Sequence, residues 1–314
     1  MENPSHRRNL QLAGRVRTAV LCAALVLAGA AAVMPAAVQR VELAWKLEAG
    51  TDLVYRESQQ VETELPQGMG TSTIRSGSTQ RWSVLEVDGD GNTTVRLTTE
   101  QVHMNLDGPI GAPNVDSADQ EGSEAFLDAF AGTSYTVVLD PRGVVVEMSS
   151  LEGMREALRE QARDLSSPSL AMLDGMLGDE ALRSEGALGF LALPTEPVAV
   201  GSTWDSDFTS LIPGFGSMTV AIRYRVESID GDLVVISSSG TLSLPDGAAD
   251  PLSSVPVQFG DMTIIATSRF DVGKGLFLGT ESTMRVEMTM AILGQEMVTE
   301  MVMTTTLELI EDGD

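Results

Sequence analysis

Residues 282–310 read "STMRVEMTMAILGQEMVTEMVMTTTLELI", and six of the chain's 16 methionines fall here, at alternating positions of two runs on either side of Gly294-Gln295. Alternation with a period of two is the signature of a strand with one wet face and one dry face. With Gly294-Gln295 as a two-residue turn, Ile292 stands opposite Met297, Met290 opposite Thr299, Met288 opposite Met301 and Val286 opposite Met303. Every methionine then lies on one face, and the other takes Arg285, Glu287, Thr289, Glu300, Thr304 and Glu308. A slip of one residue would scatter the apolar set over both faces, so the register is well specified. The ligand-facing candidates are Met284, Val286, Met288, Met290, Met297, Met301 and Met303.

Thioethers are soft ligands, and Met288-x-Met290 and Met301-x-Met303 are spacings that could hold Cu(I). The stripe also carries Val286, Ile292, Leu307 and Leu309 as equals, with no cysteine or histidine among them. Methionine as an adaptable filler of irregular apolar space is the better account, as packed core or as the wall of a cavity. No metal and no cofactor is called for.

The same alternation runs outward from this pair. In "RWSVLEVDGDGNTTVRLTTEQVHMNL" the turn cluster Asp88–Asn92 separates two strand patterns, and Asp230-Gly231-Asp232 does the same in "RYRVESIDGDLVVISSSGTLSL". Such clusters are hairpin chemistry. "LEAGTDLVY" and "VAVGSTWDS" look alike, as do "YTVVLDPRGVVVEM" and "SRFDVGKGLFLGTE". These pairs suggest an internal duplication. Between the halves the period becomes helical: Leu151, Met154, Leu158, Ala162 and Leu165 form one stripe behind a Ser149/Glu152 capping box, which predicts a helix over 151–165. A second helix is expected after Pro168, and a short one near Phe126 and Phe130. The fold expected is mainly β with an α+β character: a large curved antiparallel sheet or half-barrel from two duplicated halves, with a helical insert packed against it. The boundaries read 1–37 signal peptide, 41–150 first half, 151–193 insert, 194–310 second half and 311–314 acidic tail.

Four arginines, Arg7, Arg8, Arg15 and Arg17, precede an uncharged apolar run from Thr18 to Met34. That is the form of a secretory signal, with small residues for cleavage between Ala30 and Ala37. The expected location is periplasmic or extracellular, with a retained N-terminal anchor as the alternative and no integral span after cleavage. Four of 20 basic and one of 45 acidic residues lie in 1–32, so the rest carries 16 against 44, a formal charge of −28. A chain this acidic repels nucleic acid. Cys22, the single cysteine, sits inside the apolar run, which leaves no thiol or disulfide chemistry beyond it.

Catalytic patterns are few. Asp88-x-Asp90-x-Asn92 starts like a calcium loop but has Thr93 where glycine is needed and Thr99 where the bidentate glutamate belongs. His103 is the one histidine beyond the signal, and there is no G-x-S-x-G elbow, P-loop or dinucleotide fingerprint. A non-catalytic exported protein that binds an apolar small molecule or lipid is the leading expectation. A structural or protein-interaction module of the cell envelope is the alternative, and a hydrolase is less favoured.

"LPTEPVAVGSTWDSDF", residues 193–208, resembles the LP-x-x-PV-x-x-G-x-x-W segment of a family of exported β-rich bacterial proteins of unknown function. "LEAGTDLVY", "LEVDGDGNTTV" and the Met/Thr-rich strand pairs share that resemblance, with Ser202 in the family's usual acidic place. The resemblance implies two β-rich halves joined at this segment, and no catalytic residues. Pro194 and Pro197 stiffen the connector, Gly201 allows a bend, and Trp204 is placed to start the second half's core. By architecture alone, periplasmic lipoprotein carriers and related lipid-binding half-barrels are analogous.

Overall fold

The computed structural model describes residues 39–65, 70–107, 130–149, 151–161, 191–212, 216–243, 257–292 and 295–310. The expected signal segment, the second and third helices and the acidic tail lie outside them, apart from Phe130–Gly132 and the connector from Leu191. Eleven strands form one antiparallel sheet: β1 (Asp52–Leu65), β2 (Gly70–Val87), β3 (Thr93–Asp107), β4 (Ser134–Leu139), β5 (Val145–Ser149), β6 (Thr203–Ile212), β7 (Gly216–Asp230), β8 (Leu233–Ser243), β9 (Val257–Asp271), β10 (Leu276–Ile292) and β11 (Gln295–Ile310). One helix, α1 (Leu151–Gln161), follows β5 and packs near β4. The strand order is β5-β4-β3-β2-β1-β11-β10-β9-β8-β7-β6. The chain therefore runs from the middle to one edge, starts again at the other edge and returns to the middle, where β11 pairs with β1 from Val54↔Ile310 to Thr63↔Met301.

The turns are those their residues dictate. Asp88 accepts from the amides of Asp90 and Asn92 at 2.9 and 2.8 Å and from the Asn92 side chain at 2.8 Å. Those bonds hold its carboxyl below the usual range, as expected of an acceptor that serves several donors. Its oxygens close the β2–β3 turn, so the calcium-like spacing is hairpin chemistry. β7 and β8 join through Gly231, which has φ +59°.

The sheet curls around a plug. Leu43, Trp45 and Leu47 alternate like a strand but make no ladder beyond the bridge Val41↔Val198; with Leu191, Leu193 and Val198 they fill the space enclosed by one end of the strands. The Trp45 ring lies 6.4 Å from Trp82 on β2, 5.9 Å from Phe270 on β9 and 6.4 Å from Phe277 on β10. On a flat sheet β2 and β9 would be about 19 Å apart, so contact with one indole requires a strong bend. The two sheet edges converge on the second plug segment. Arg142, in the β4–β5 turn, donates from Nε to the Leu193 carbonyl at 2.8 Å, and Trp204 on β6 donates from Nε1 to the Ala192 carbonyl at 2.9 Å. Side chains and connector backbone thus take the place of a strand ladder at this seam.

The same local geometry occurs in both parts of the chain. Gly50 donates to the Val84 carbonyl, and Val84 donates to Thr51; Gly201 donates to Val226, and Val226 to Ser202. Gly50 and Gly201 have φ +88° and +86°. Each plug segment also reaches the other part's turn: Lys46 N donates to Gly275 O at 3.1 Å, and Leu193 N to Arg142 O at 3.0 Å.

The β10–β11 register differs from the one expected. Ile292 pairs with Gln295, Met290 with Met297, Met288 with Thr299, Val286 with Met301 and Met284 with Met303. The pairing therefore moves by two residues. A shift of two leaves every side chain on its face, so facial pattern cannot choose between the registers. In the observed one the Thr299 hydroxyl donates to the Glu64 carbonyl at the end of β1, and Thr299 is 3% exposed.

Candidate ligand-binding face

The registers sort the inner face, the one carrying the plug, into three zones along the strands. At the plug end, Val95, Val137, Val226, Val234, Ile236 and Phe270 are all 0% exposed. Tyr55 is buried among Trp82 and Phe277 and donates its hydroxyl to the Phe277 carbonyl at 2.8 Å. Burial pushes its pKa up, and Tyr224, stacked on Trp204 at 5.2 Å, is pushed up to about 12 for the same reason.

Next comes a polar waist. Beyond Tyr55 the inner face of β1 continues with Glu57 and Gln59, paired with Ser78 and Ser76 on β2 and with Leu307 and Thr305 on β11. In the other part of the sheet the same level holds Ser282, Ala266 and Ser238. Glu57 is half-buried; the Ser78 hydroxyl donates to its Oε2 at 3.4 Å. Burial raises its pKa, and the serine opposes that only in part. Among the described strands Glu57 is the one carboxylate whose register places it on this face, and no lysine or arginine of those strands shares it.

The third zone is the methionine end. Val286, Met218, Val220 and Met262 form its buried centre at 2–7% exposure, with Met284, Met288 and Met301 packed around them. Met284, Met288, Met297, Met301 and Met303 are only half-buried. The backbone of Met290 puts it in the same row, opposite Met297, and its side chain lies outside the described ones. All seven sequence candidates thus share one face of β10 and β11. Glu57, the one charged group on this face of the described strands, follows from the phase of "DLVYRESQQVETEL": Leu53, Tyr55, Glu57, Gln59 and Val61 fall on one face.

The outer face carries a separate shallow groove of about 630 Å³ across β6–β11, lined by Arg223, Arg225, Ile265, Glu281 and Thr304. Arg223 pairs with Asp205 at 2.8 Å there and holds that carboxyl below its usual range. His103 also faces outward, over Gly77. Among the described residues no group of three or more His, Cys, Asp or Glu could hold a metal ion. No described helix is long and apolar enough to cross a membrane.

With this geometry established, comparison gives the chain's place. The family of unknown function DUF6263 matches residues 90–274, more than half of the chain, and the chain belongs to that family. No curated protein sequence matches it. Among solved structures, one on lipid–protein interactions in lipovitellin superposes with a TM-score of 0.54 at 10% identity, over 85% of this chain and 26% of that one. The chain thus spans about a quarter of lipovitellin's length, and the likeness is one of fold. DynF from the dynemicin biosynthesis pathway of Micromonospora chersina (TM-score 0.21, 9% identity, 88% of each chain) and Rv2717c from M. tuberculosis (0.23, 10%, 82% and 91%) are also similar.

Proposed function

We propose that the protein is exported and, without catalysing a reaction, holds an apolar molecule such as a lipid or a lipoprotein acyl chain against the methionine end of its inner face. One observation carries the reading: on a single face, side chains at the plug end are sealed from solvent, whereas Met284, Met288, Met297, Met301 and Met303 stay partly exposed. Unbranched thioethers conform to ligands of varied shape, which suits such a surface. The fold shared with lipovitellin supports the reading by analogy of architecture. The N-terminal arginines and apolar run support export. The paired hydrogen bonds at Gly50 and Gly201 support a duplication of β1–β5 as β6–β10, with β11 as the odd strand between the copies.

Native mass spectrometry after gentle extraction tests the binding reading. The expected result is co-purifying lipid, or uptake of the apolar dye 1-N-phenylnaphthylamine by the lipid-free protein. Protein that carries no lipid and takes up no dye would overturn the reading and favour an interaction module. Fractionation with N-terminal sequencing tests export, and the expected mature start lies between Ala31 and Val38.

A further inference from the structure

We propose that the inner-face site selects single-chain amphiphiles whose head donates hydrogen bonds, an alcohol or an amine, and rejects carboxylates, because Glu57 stands where the head must lie. The inference rests on the apolar-ligand reading above and adds the head-group chemistry to it.

Three observations lead there. The plug end is filled with rings and buried aliphatic side chains, so an acyl tail cannot extend that way. The tail is left to the methionine end. Along β1 the inner face passes from Glu57 through Gln59 to Val61, which pairs with Met303, and then to Thr63, which pairs with Met301. Glu57 to Val61 spans about 13 Å at the rise of a strand, roughly the length of a ten-carbon chain. A molecule of that size with its tail on the methionines has its head at the waist.

The waist is chemically one-sided. Ser78 and Gln80 on β2, Gln59 on β1 and Thr305 on β11 surround Glu57 and could both donate and accept, but among the described strands Glu57 contributes the only formal charge. The groups facing it from its own and adjacent strands include one other titratable side chain, Tyr55, whose hydroxyl is committed to Phe277. With no cation on this face of the described strands, a bound carboxylate would meet a half-buried like charge in a setting that screens it poorly. Like-charge juxtaposition is how a site excludes one ligand without improving its contacts to another. The burial that raises the pKa of Glu57 also makes a hydrogen-bond donor or a cation a favourable companion for it.

The test is displacement of 1-N-phenylnaphthylamine from the full chain at pH 8 by 1-decanol, decylammonium and decanoate, with Glu57→Gln and Glu287→Gln compared. Glu287 is exposed on the outer face and controls for net charge. The wild type should bind 1-decanol and decylammonium about tenfold or more tighter than decanoate, a difference of about 1.4 kcal/mol. Glu57→Gln should narrow that ratio to about threefold, and a cooperative thermal melt like the wild type's shows that the variant is folded. Glu287→Gln should leave the ratio unchanged. Equal wild-type affinity for decanoate and 1-decanol, or the same change in both variants, would overturn the head-group inference and leave the apolar-ligand reading standing. Failure of the dye and of all three amphiphiles to bind would overturn both.

Discussion

Phe277 and Val286 stand on the same face of β10 and are equally buried, at 3% exposure, yet they belong to different kinds of interior. An odd spacing of nine would normally put them on opposite faces; the bulge between Phe277 and Gly279 restores the phase. Around Phe277 the neighbours are the rings of Tyr55 and Trp45, and the backbone of the plug is hydrogen-bonded on several sides. Around Val286 they are Met262, Met284, Met288 and Met301, with flexible side chains. Rings have fixed shapes and need a complementary partner, which the sheet obtains by folding its own connectors into its mouth. Thioethers fit whatever meets them. One end is therefore held by fixed shapes, and the other, on the function proposed above, is left to accommodate a ligand.

Removing the plug's centre should give the largest effect. Trp45→Ala leaves an indole-sized void among three aromatic partners and should lower stability by about 3–5 kcal/mol in denaturant melts. Gly275→Ala should come next. This glycine has φ +65°, and a Cβ there would collide with the backbone of Lys46, whose amide donates to the Gly275 carbonyl. The left-handed conformation alone costs a side chain about 1–2 kcal/mol, so the collision should take the loss beyond that. Gly50→Ala is the control. Its φ is +88° but nothing lies within 4 Å of the added carbon, so only the conformational part, about 1–2 kcal/mol, should appear.

Much of this contrast could be read from residues alone. Asp88–Asn92 and Asp230-Gly231-Asp232 marked hairpins because aspartate and glycine close tight turns, and alternation placed the methionines on one face. The plug was hidden because Leu43, Trp45 and Leu47 alternate as a strand does, and only the curl of the sheet decides that such a segment is enclosed rather than paired. The pairing of β1 with β11 joins residues some 250 positions apart, which local pattern does not encode. The β10–β11 register escaped because shifts of two leave the faces intact. Glu57 escaped for a simpler reason: one acid among 45 draws no notice until strand phase is followed residue by residue.

The methionine end should respond more mildly. Met288→Leu with Met301→Leu roughly conserves volume on a surface that is already adaptable, so each should cost less than about 1.5 kcal/mol in the same melts. A Cu(I) site would show as normal folding with lost copper binding in this variant, and apolar-dye uptake should instead persist. Met288→Glu with Met301→Glu separates wall from core: a sealed core would unfold around two buried carboxylates, whereas a half-exposed wall should fold and lose dye binding. The second outcome is expected.

The smallest expected effect lies at the boundary between the two interiors. Burial raises the pKa of Glu57 in the folded chain, and the Ser78 hydroxyl offsets this only partly. The folded state then holds a proton more tightly than the unfolded state, so between the two pKa values the native chain binds more protons and stability falls as pH rises. The stabilisation associated with the protonated carboxyl is fully present below the unfolded value and is lost as pH climbs through the folded one. Glu57→Gln removes this titration and keeps the shape. Its melting temperature should match the wild type's near pH 4 and exceed it slightly at pH 8, whereas Glu287→Gln, on the exposed outer face, should show no such divergence once the change in net charge is common to both. Partial exposure of Glu57 keeps the expected gain small. Paired thermal melts of the two variants across that range measure it, and a wild type that instead gains on Glu57→Gln with rising pH would show that the waist stabilises the ionised carboxylate rather than penalising it.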